Sequence, residues 1–200
     1  AENGAVLHFP DSGHTTLLAP PVSAGFVAEL RRRGVPHRAG ECLVDADANE
    51  ASGLLRVIRA LELPLVLAFN GGRVMTMAQG VSKATGLRRM LETIRRSPRN
   101  MVAVGDAEND HELLRLAEVG AAVEWGSAAL RAMADTVVPG AGPPAVASFI
   151  VDLTRAGRLP VPARARRRLH LGYTDDGREF SLAAKGRNVL IAGDAMSGKS

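Results

Sequence analysis

Between residues 79 and 157 short apolar segments alternate with longer amphipathic ones, and this alternation constrains the fold more than any other feature. "QGVSKATGLRRMLETIRRS" predicts a helix with Ser82 as N-cap and Leu87, Leu91 and Ile94 along one face. "NMVAVGD" then reads as a short buried strand, "ENDHELLRLAE" as a helix and "GAAVEW" as a strand. "SAALRAMAD" reads as a helix, "TVV" as a short strand and "PAVASFIVDLTRAG" as a helix. Strands and helices alternating at this spacing predict a parallel sheet with helices packed on its faces. In such sheets ligands gather at the carboxyl ends of the strands.

Residues 1–78 follow a different rhythm. "AVLHF" and "TTLLA" flank "PDSG" and predict a β-hairpin. "PVSAGFVAELRRRG" has apolar residues at helical spacing, with Pro21 near its start and Gly34 as its stop. "ECLVDA" reads as a strand, "NEASGLLRVIRALEL" as a helix capped by Asn49, and "PLVLAF" with "RVMTM" as a second hairpin turned by "NGG". The order β-β-α-β-α-β-β describes an α+β module with largely antiparallel pairing. Beyond residue 157, "LHLGYTDDGREFSLAAKGRNVLIAG" predicts two strands around "DDG", then a very apolar strand, "NVLIAG". No internal repeat is evident.

With 200 residues, 46% of them hydrophobic and 4% aromatic, the chain can bury one sizeable aliphatic core or two small ones. No apolar run approaches the ~20 residues of a membrane span. No signal peptide opens the sequence, so a cytoplasmic location is the expectation. The single cysteine, Cys42, excludes an internal disulfide and a multi-cysteine zinc site, and beside Leu43 and Val44 it reads as a small buried residue. The net charge of +4 comes almost wholly from arginine. "RRR" at 31–33 and "LRR" at 87–89 fit solvated helix faces, whereas "ARARRR" at 163–168 lies in a Pro-rich stretch that reads as an interdomain linker, where nucleic acid is the partner to consider. Lysine occurs only at 83, 185 and 199.

Asp106 follows the strand "MVAVG" directly, and Asn109 and Asp110 open the next helix. Oxygen ligands gathered at a strand's carboxyl end suit Mg²⁺, which prefers carboxylates, amides and waters. The plainer reading is that Asp106 ends the strand in a turn while Asn109 or Asp110 caps the helix.

The whole arrangement of "GVSKATGL", then "GDAENDHELL", then "AVEWGSAALRAMADTVV" resembles the C-terminal half of a haloacid dehalogenase-superfamily phosphatase. The similarity is to the Cof- and sucrose-phosphatase-like group, in which a large α+β cap of the C2 type follows the third core strand. Asn3, Gly4 and Ala5 match the "NGA" with which that strand commonly ends. The fold implied is a Rossmann-like parallel-sheet core, of which this chain holds the C-terminal half, with an α+β cap. The resemblance implies a Mg²⁺-dependent phosphatase acting on a small phosphorylated metabolite such as a sugar phosphate. Lys83 would then hold the phosphate and steady the nucleophile, Asp106 would bind Mg²⁺, and Asn109 and Asp110 would complete its inner or second shell. The nucleophilic D-x-D of this family precedes the cap, so the expectation is that this chain is a piece of a longer protein and inactive alone. Asp45 and Asp47 in "CLVDADAN" follow an apolar strand but lack the Gly-Thr of the motif, and read as a helix-capping turn. Ser127 stands where the family often has Asn. His8, His14, His37, His111 and His170 show no ligand spacing, and cap residues near Arg38, Glu41 and Asn70 could read a substrate, though nothing in the sequence ranks them.

The last eight residues, Gly193 to Ser200, fit G-x-x-x-x-G-K-[ST] after the apolar "NVLIAG". In such a phosphate loop the backbone of Gly193, Ser197 and Gly198 would wrap the phosphates of ATP, Lys199 would reach them and Ser200 would bind Mg²⁺. This segment resembles the entry to FtsK- and HerA-like ATPases, with Met196 where those often have Gly. The expected organisation is therefore cap at 1–78, core half at 79–157, linker and short strands at 158–187, and the first strand of a P-loop domain at 188–200. The rival expectation is a P-loop ATPase, nucleic-acid-handling or regulatory, with a non-catalytic phosphatase-like module.

Overall fold

The two amphipathic helices of the first 78 residues need a common apolar surface, and a four-stranded antiparallel sheet supplies it. The structure, a computed structural model, describes residues 1–157 and 168–183. The chain divides into two compact units, Ala1–Val161 and Pro162–Ser200.

The first unit begins with a hairpin of β1 (Val6–Phe9) and β2 (His14–Leu17), Val6 opposite Leu17. Helix α1 (Ala24–Arg32) is capped by Ser23, whose hydroxyl accepts the Phe26 amide. There follow β3 (Arg38–Ala39), β4 (Val44–Asp47), α2 (Ala51–Ala60), β5 (Leu65–Asn70) and β6 (Arg73–Ala78), with the sheet ordered β3-β4-β6-β5. Alternation along a strand sends successive side chains to opposite faces. Val44, Ala46 and Val74 therefore share one face, where they bury against Phe26 and Leu30 of α1 and Leu54, Val57 and Ile58 of α2. Asp45, Asp47, Arg73, Met75 and Met77 belong to the other face, where Leu43, Met75 and Met77 cluster with Ala68 and Val81.

Two details differ from the sequence-based expectation. The edge strand β3 was not expected; it is two residues long and too short to show a pattern. Asn49 does not cap α2 but sits inside a 3-10 turn, Ala48–Glu50, whose entry is set by the Ala48 amide donating to the Gly72 carbonyl at 2.8 Å.

The rest of the unit alternates as its sequence predicts. Helix α3 (Lys83–Thr93) leads to β7 (Val102–Gly105), α4 (His111–Leu116), β8 (Val119–Val123), α5 (Ala128–Met133), β9 (Thr136–Val138) and α6 (Gly142–Ala156). β7, β8 and β9 form a parallel sheet in that order. All five residues of the central β8 are buried, as a strand covered on both faces requires. Leu114 and Leu130 from α4 and α5 bury against Ala103 and Ala122. On α3 Leu91 is buried, whereas Ile94 lies past the last turn and is 45% exposed. Among the described residues no helix is long and apolar enough to cross a membrane.

In the second unit β10 (Arg168–Tyr173) pairs antiparallel with β11 (Glu179–Ala183) around the expected "DDG" turn, closed by the Gly177 amide donating to the Thr174 carbonyl at 2.7 Å. The expected strand "NVLIAG", the phosphate loop at 193–200 and nearly all of the basic linker lie outside the described residues.

One close approach orders the start of α3. Gly4 takes φ +97°, and a Cβ there would stand 2.0 Å from the Ser82 carbonyl oxygen. A Cβ on Gly86 would stand 2.4 Å from the Gly4 carbonyl oxygen. Two backbones thus meet at the start of α3. An exposed Gly→Ala exchange inside a helix normally stabilises by ~1 kcal/mol. At Gly86 the sign should reverse, so that G86A lowers the melting temperature; a rise would mean that the contact is not tight.

Candidate active site

The site grows from the carboxyl end of β7. Gly105 ends the strand, and a 3-10 turn, Glu108–Asp110, leads into α4 and folds Asp110 back under the loop. Asp110 is 2% exposed. Its Oδ2 accepts the amides of Asp106 at 3.0 Å and Ala107 at 3.3 Å, and its Oδ1 accepts from the Lys83 ammonium at 2.6 Å. Lys83 is the first residue of α3, where a cation opposes the helix dipole. A capping box holds it there: the Ser82 hydroxyl accepts the Thr85 amide and Thr85 Oγ1 accepts the Ser82 amide. The lysine is tolerated because the buried carboxylate faces it.

Asn109 completes the loop. Its Oδ1 accepts from Lys83 Nζ at 3.3 Å, and its Nδ2 donates to Asn3 Oδ1 at 3.0 Å. Asp106 is the exposed member of the group. Its carbonyl accepts the Ser127 amide at 2.8 Å, while the Ser127 hydroxyl caps α5 by accepting the Leu130 amide at 3.2 Å. Ser127 therefore works as a helix cap that braces Asp106.

The acidities follow from this arrangement. Burial pushes the Asp110 carboxyl up, but the Lys83 hydrogen bond and the two loop amides outweigh it and hold Asp110 below its ordinary value. Asp106 is pushed the other way, by partial desolvation and by the neighbouring Asp110 carboxylate, with Lys83 opposing. Two carboxylates thus meet one ammonium. The surplus negative charge sits on Asp106, at the open edge of the sheet, and a hard divalent cation fits there. Among the described residues no three His, Cys, Asp or Glu side chains gather closely enough to hold a metal. Asp106 keeps its carboxylate open, whereas Asn109 and Asp110 are committed to Lys83 and the loop.

The β3–β6 sheet meets this loop directly at one point, where the Gly71 amide, in the β5–β6 turn next to Asn70, donates to Glu108 Oε2 at 3.0 Å. A second link is indirect: Asn3, which accepts from Asn109, donates its Nδ2 to Met77 Sδ at 3.1 Å. The Gly71 amide holds the Glu108 carboxyl below its ordinary value. The sequence carries no signal for Glu108, because its partner is a backbone amide 37 residues away.

Asp45 and Asp47 are not in this site. Both pair with Arg73, Asp47 Oδ1 at 2.5 Å from Nη1 and Asp45 through Nε and Nη2. Asp47 makes no side-chain cap, contrary to expectation, because the guanidinium across the strand pair holds its carboxylate. Arg38 is opposite Asp45 in register. The Glu41 and Cys42 amides donate to the Glu2 carboxylate, both at 2.7 Å. Cys42 is buried, and that burial pushes its thiol up, as suits a packing residue. A largely apolar cavity lined by Phe26, Cys42, Val44, Leu65 and Thr76 opens on the helix-packed side of the sheet, not toward Asp106.

Residues 37–150 match the haloacid dehalogenase-like hydrolase family, more than half of the chain. The chain belongs to that family. It is 32% identical over 147 residues to a phosphoglycolate phosphatase of Natronomonas pharaonis, covering 68% of this chain and 65% of that protein. It is also 32% identical over 166 residues to a phosphoglycolate phosphatase of Halorubrum lacusprofundi, covering 76% and 71%. The chain thus spans about two thirds of the length of these relatives. A solved structure from Thermoplasma acidophilum shares the fold, with a TM-score of 0.62 at 18% identity over 76% of this chain and 70% of that one.

The pairing of Asp110 has a pH signature. A carboxyl held below its ordinary value of 3.8 contributes stability above that value and loses it as pH falls through the lower, folded value. Asp110→Asn should cost of order 3 kcal/mol at pH 7. The gap to wild type should close below about pH 3.8. Denaturant unfolding at pH 7, 5 and 3 checks this, and a gap independent of pH would assign Asp110 a role in shape alone.

Proposed function

We propose that the protein carrying this chain is a Mg²⁺-dependent phosphatase of small phosphorylated metabolites. The observation that carries the reading is the Lys83 ammonium, shared by Asp110 and Asn109, beside the open, cation-receptive carboxylate of Asp106. A phosphoryl group and an attacking carboxylate are both anions, and bringing them together needs fixed positive charge at their meeting point. Lys83 would donate to a phosphoryl oxygen and Asp106 would hold Mg²⁺, which when bound offsets the remaining charge. Asp110 keeps the ammonium aimed and takes no part in transfer. In the family resemblance the attacking carboxylate belongs to a D-x-D ahead of the cap, and Asp45 and Asp47, tied to Arg73, are not placed to replace it.

The substrate class is a small phosphomonoester. The resemblance favours a sugar phosphate, and the activity named for the two relatives favours a short phosphorylated acid. Turnover of 2-phosphoglycolate against a panel of sugar phosphates, in the full-length protein, separates the two. Asp106→Asn and Lys83→Ala should each lower kcat/KM by about 10²–10³. Chelation should abolish turnover and added Mg²⁺ restore it. Undiminished rates in both variants would overturn the assignment of the site.

The ATP expectation rests on the pattern of Gly193, Ser197, Gly198, Lys199 and Ser200 behind an apolar segment. Calorimetry of ATP·Mg²⁺ with the full-length protein tests it: binding lost in Lys199→Ala supports a phosphate loop, and no binding in the wild type removes it.

A further inference from the structure

We propose that Asn3 is a positioning residue that orients the Asn109 carboxamide and, through it, the Lys83 ammonium. The inference rests on the phosphatase reading for its consequence but on geometry for its content. Three contacts run in line: Met77 Sδ to Asn3 Nδ2 at 3.1 Å, Asn3 Oδ1 to Asn109 Nδ2 at 3.0 Å, and Asn109 Oδ1 to Lys83 Nζ at 3.3 Å.

The direction of every bond in this line is dictated by its ends. An ammonium only donates and a thioether only accepts. Asn109 must therefore show its oxygen to Lys83, which leaves its NH₂ for Asn3. Asn3 must then show its oxygen to Asn109, which leaves its own NH₂ for the Met77 sulfur. Read from the sulfur instead, the same orientation results. Removing the Asn3 side chain leaves the Asn109 NH₂ without its acceptor and frees the amide to turn.

The backbone holds Asn3 in place for this task. Its φ of +52° is in the left-handed region, which asparagine adopts more readily than most residues. The next residue, Gly4, is pressed against the Ser82 carbonyl, one residue before Lys83. The carboxamide is therefore anchored to the same helix start that carries the lysine. Lys83 has three N–H donors. Asp110 and Asn109 take two of them, and this sets the direction of the third, toward the phosphoryl group in the phosphatase reading. Because Met77 belongs to β6, the same line ties the α+β sheet to the lysine.

The test uses the full-length protein and four variants: Asn3→Gly, which keeps the left-handed backbone, Asn3→Asp, which keeps the acceptor for Asn109, Asn109→Ala, and the Asn3→Gly/Asn109→Ala pair. Asn3→Gly should lower kcat about tenfold while KM changes less than twofold, and Asn3→Asp should recover most of the loss. Adding Asn3→Gly to Asn109→Ala should cost nothing further; a product of the two single losses would show a general structural role and overturn the proposal. Hydrogen exchange of the Asn109 carboxamide protons, followed by NMR, reads the line without turnover. Exchange should quicken at least tenfold in Asn3→Gly and several-fold in Met77→Leu, which removes the sulfur at nearly constant volume, and should stay slow in Asn3→Asp. Unchanged exchange in both Asn3→Gly and Met77→Leu would overturn the proposal. Absence of phosphatase turnover in the wild type would remove the phosphatase reading, and the exchange result would still decide the role of Asn3.

Discussion

A carboxylate at 2% exposure survives only with hydrogen bonds and a counter-charge, and Asp110 has both. Its two oxygens do separate work. One collects the amides of Asp106 and Ala107, closing the loop after β7. The other holds the Lys83 ammonium and thereby fixes the start of α3 against the parallel sheet. Loop, helix start and lysine are thus ordered by one buried charge, and Asp106 is left at the mouth with its acidity weakened by that neighbour.

The placement of the α+β sheet over this loop follows from strand periodicity. Apolar residues at alternate positions draw α1 and α2 onto one face, so the other face is left to meet the loop. It does so directly through the Gly71 amide on Glu108, and through Asn3, which links the Met77 sulfur to Asn109. Arg73, Asp45 and Asp47 satisfy one another on that same face, so two carboxylates near a strand end are consumed by structure.

The sequence made the alternating elements legible because each is short and bounded by a strong local signal: Ser82 at one helix start, Gly-Asp after one strand, "NGG" and "DDG" at two turns. Asp106, Asn109 and Asp110 could likewise be singled out, since they sit where local pattern puts a strand end and a helix start, while Lys83 was singled out by the family resemblance. What could not be read is what each does with its oxygens. Asn49 looked like a cap but sits inside the 3-10 turn that precedes α2, and Asp47 looked like one until Arg73 took its carboxylate.

The sequence by itself determined the order of elements, the parallel character of the C-terminal half and the identity of the residues that face the strand ends, because these depend on periodicity and neighbours within a few positions. Only the tertiary structure decided the division of labour among them. It buried Asp110, opened Asp106, and joined Asn3 to Asn109 across 106 positions of chain. A side chain's role depends on which donor or acceptor arrives opposite it, and those partners come from segments far apart in sequence that meet only in the fold.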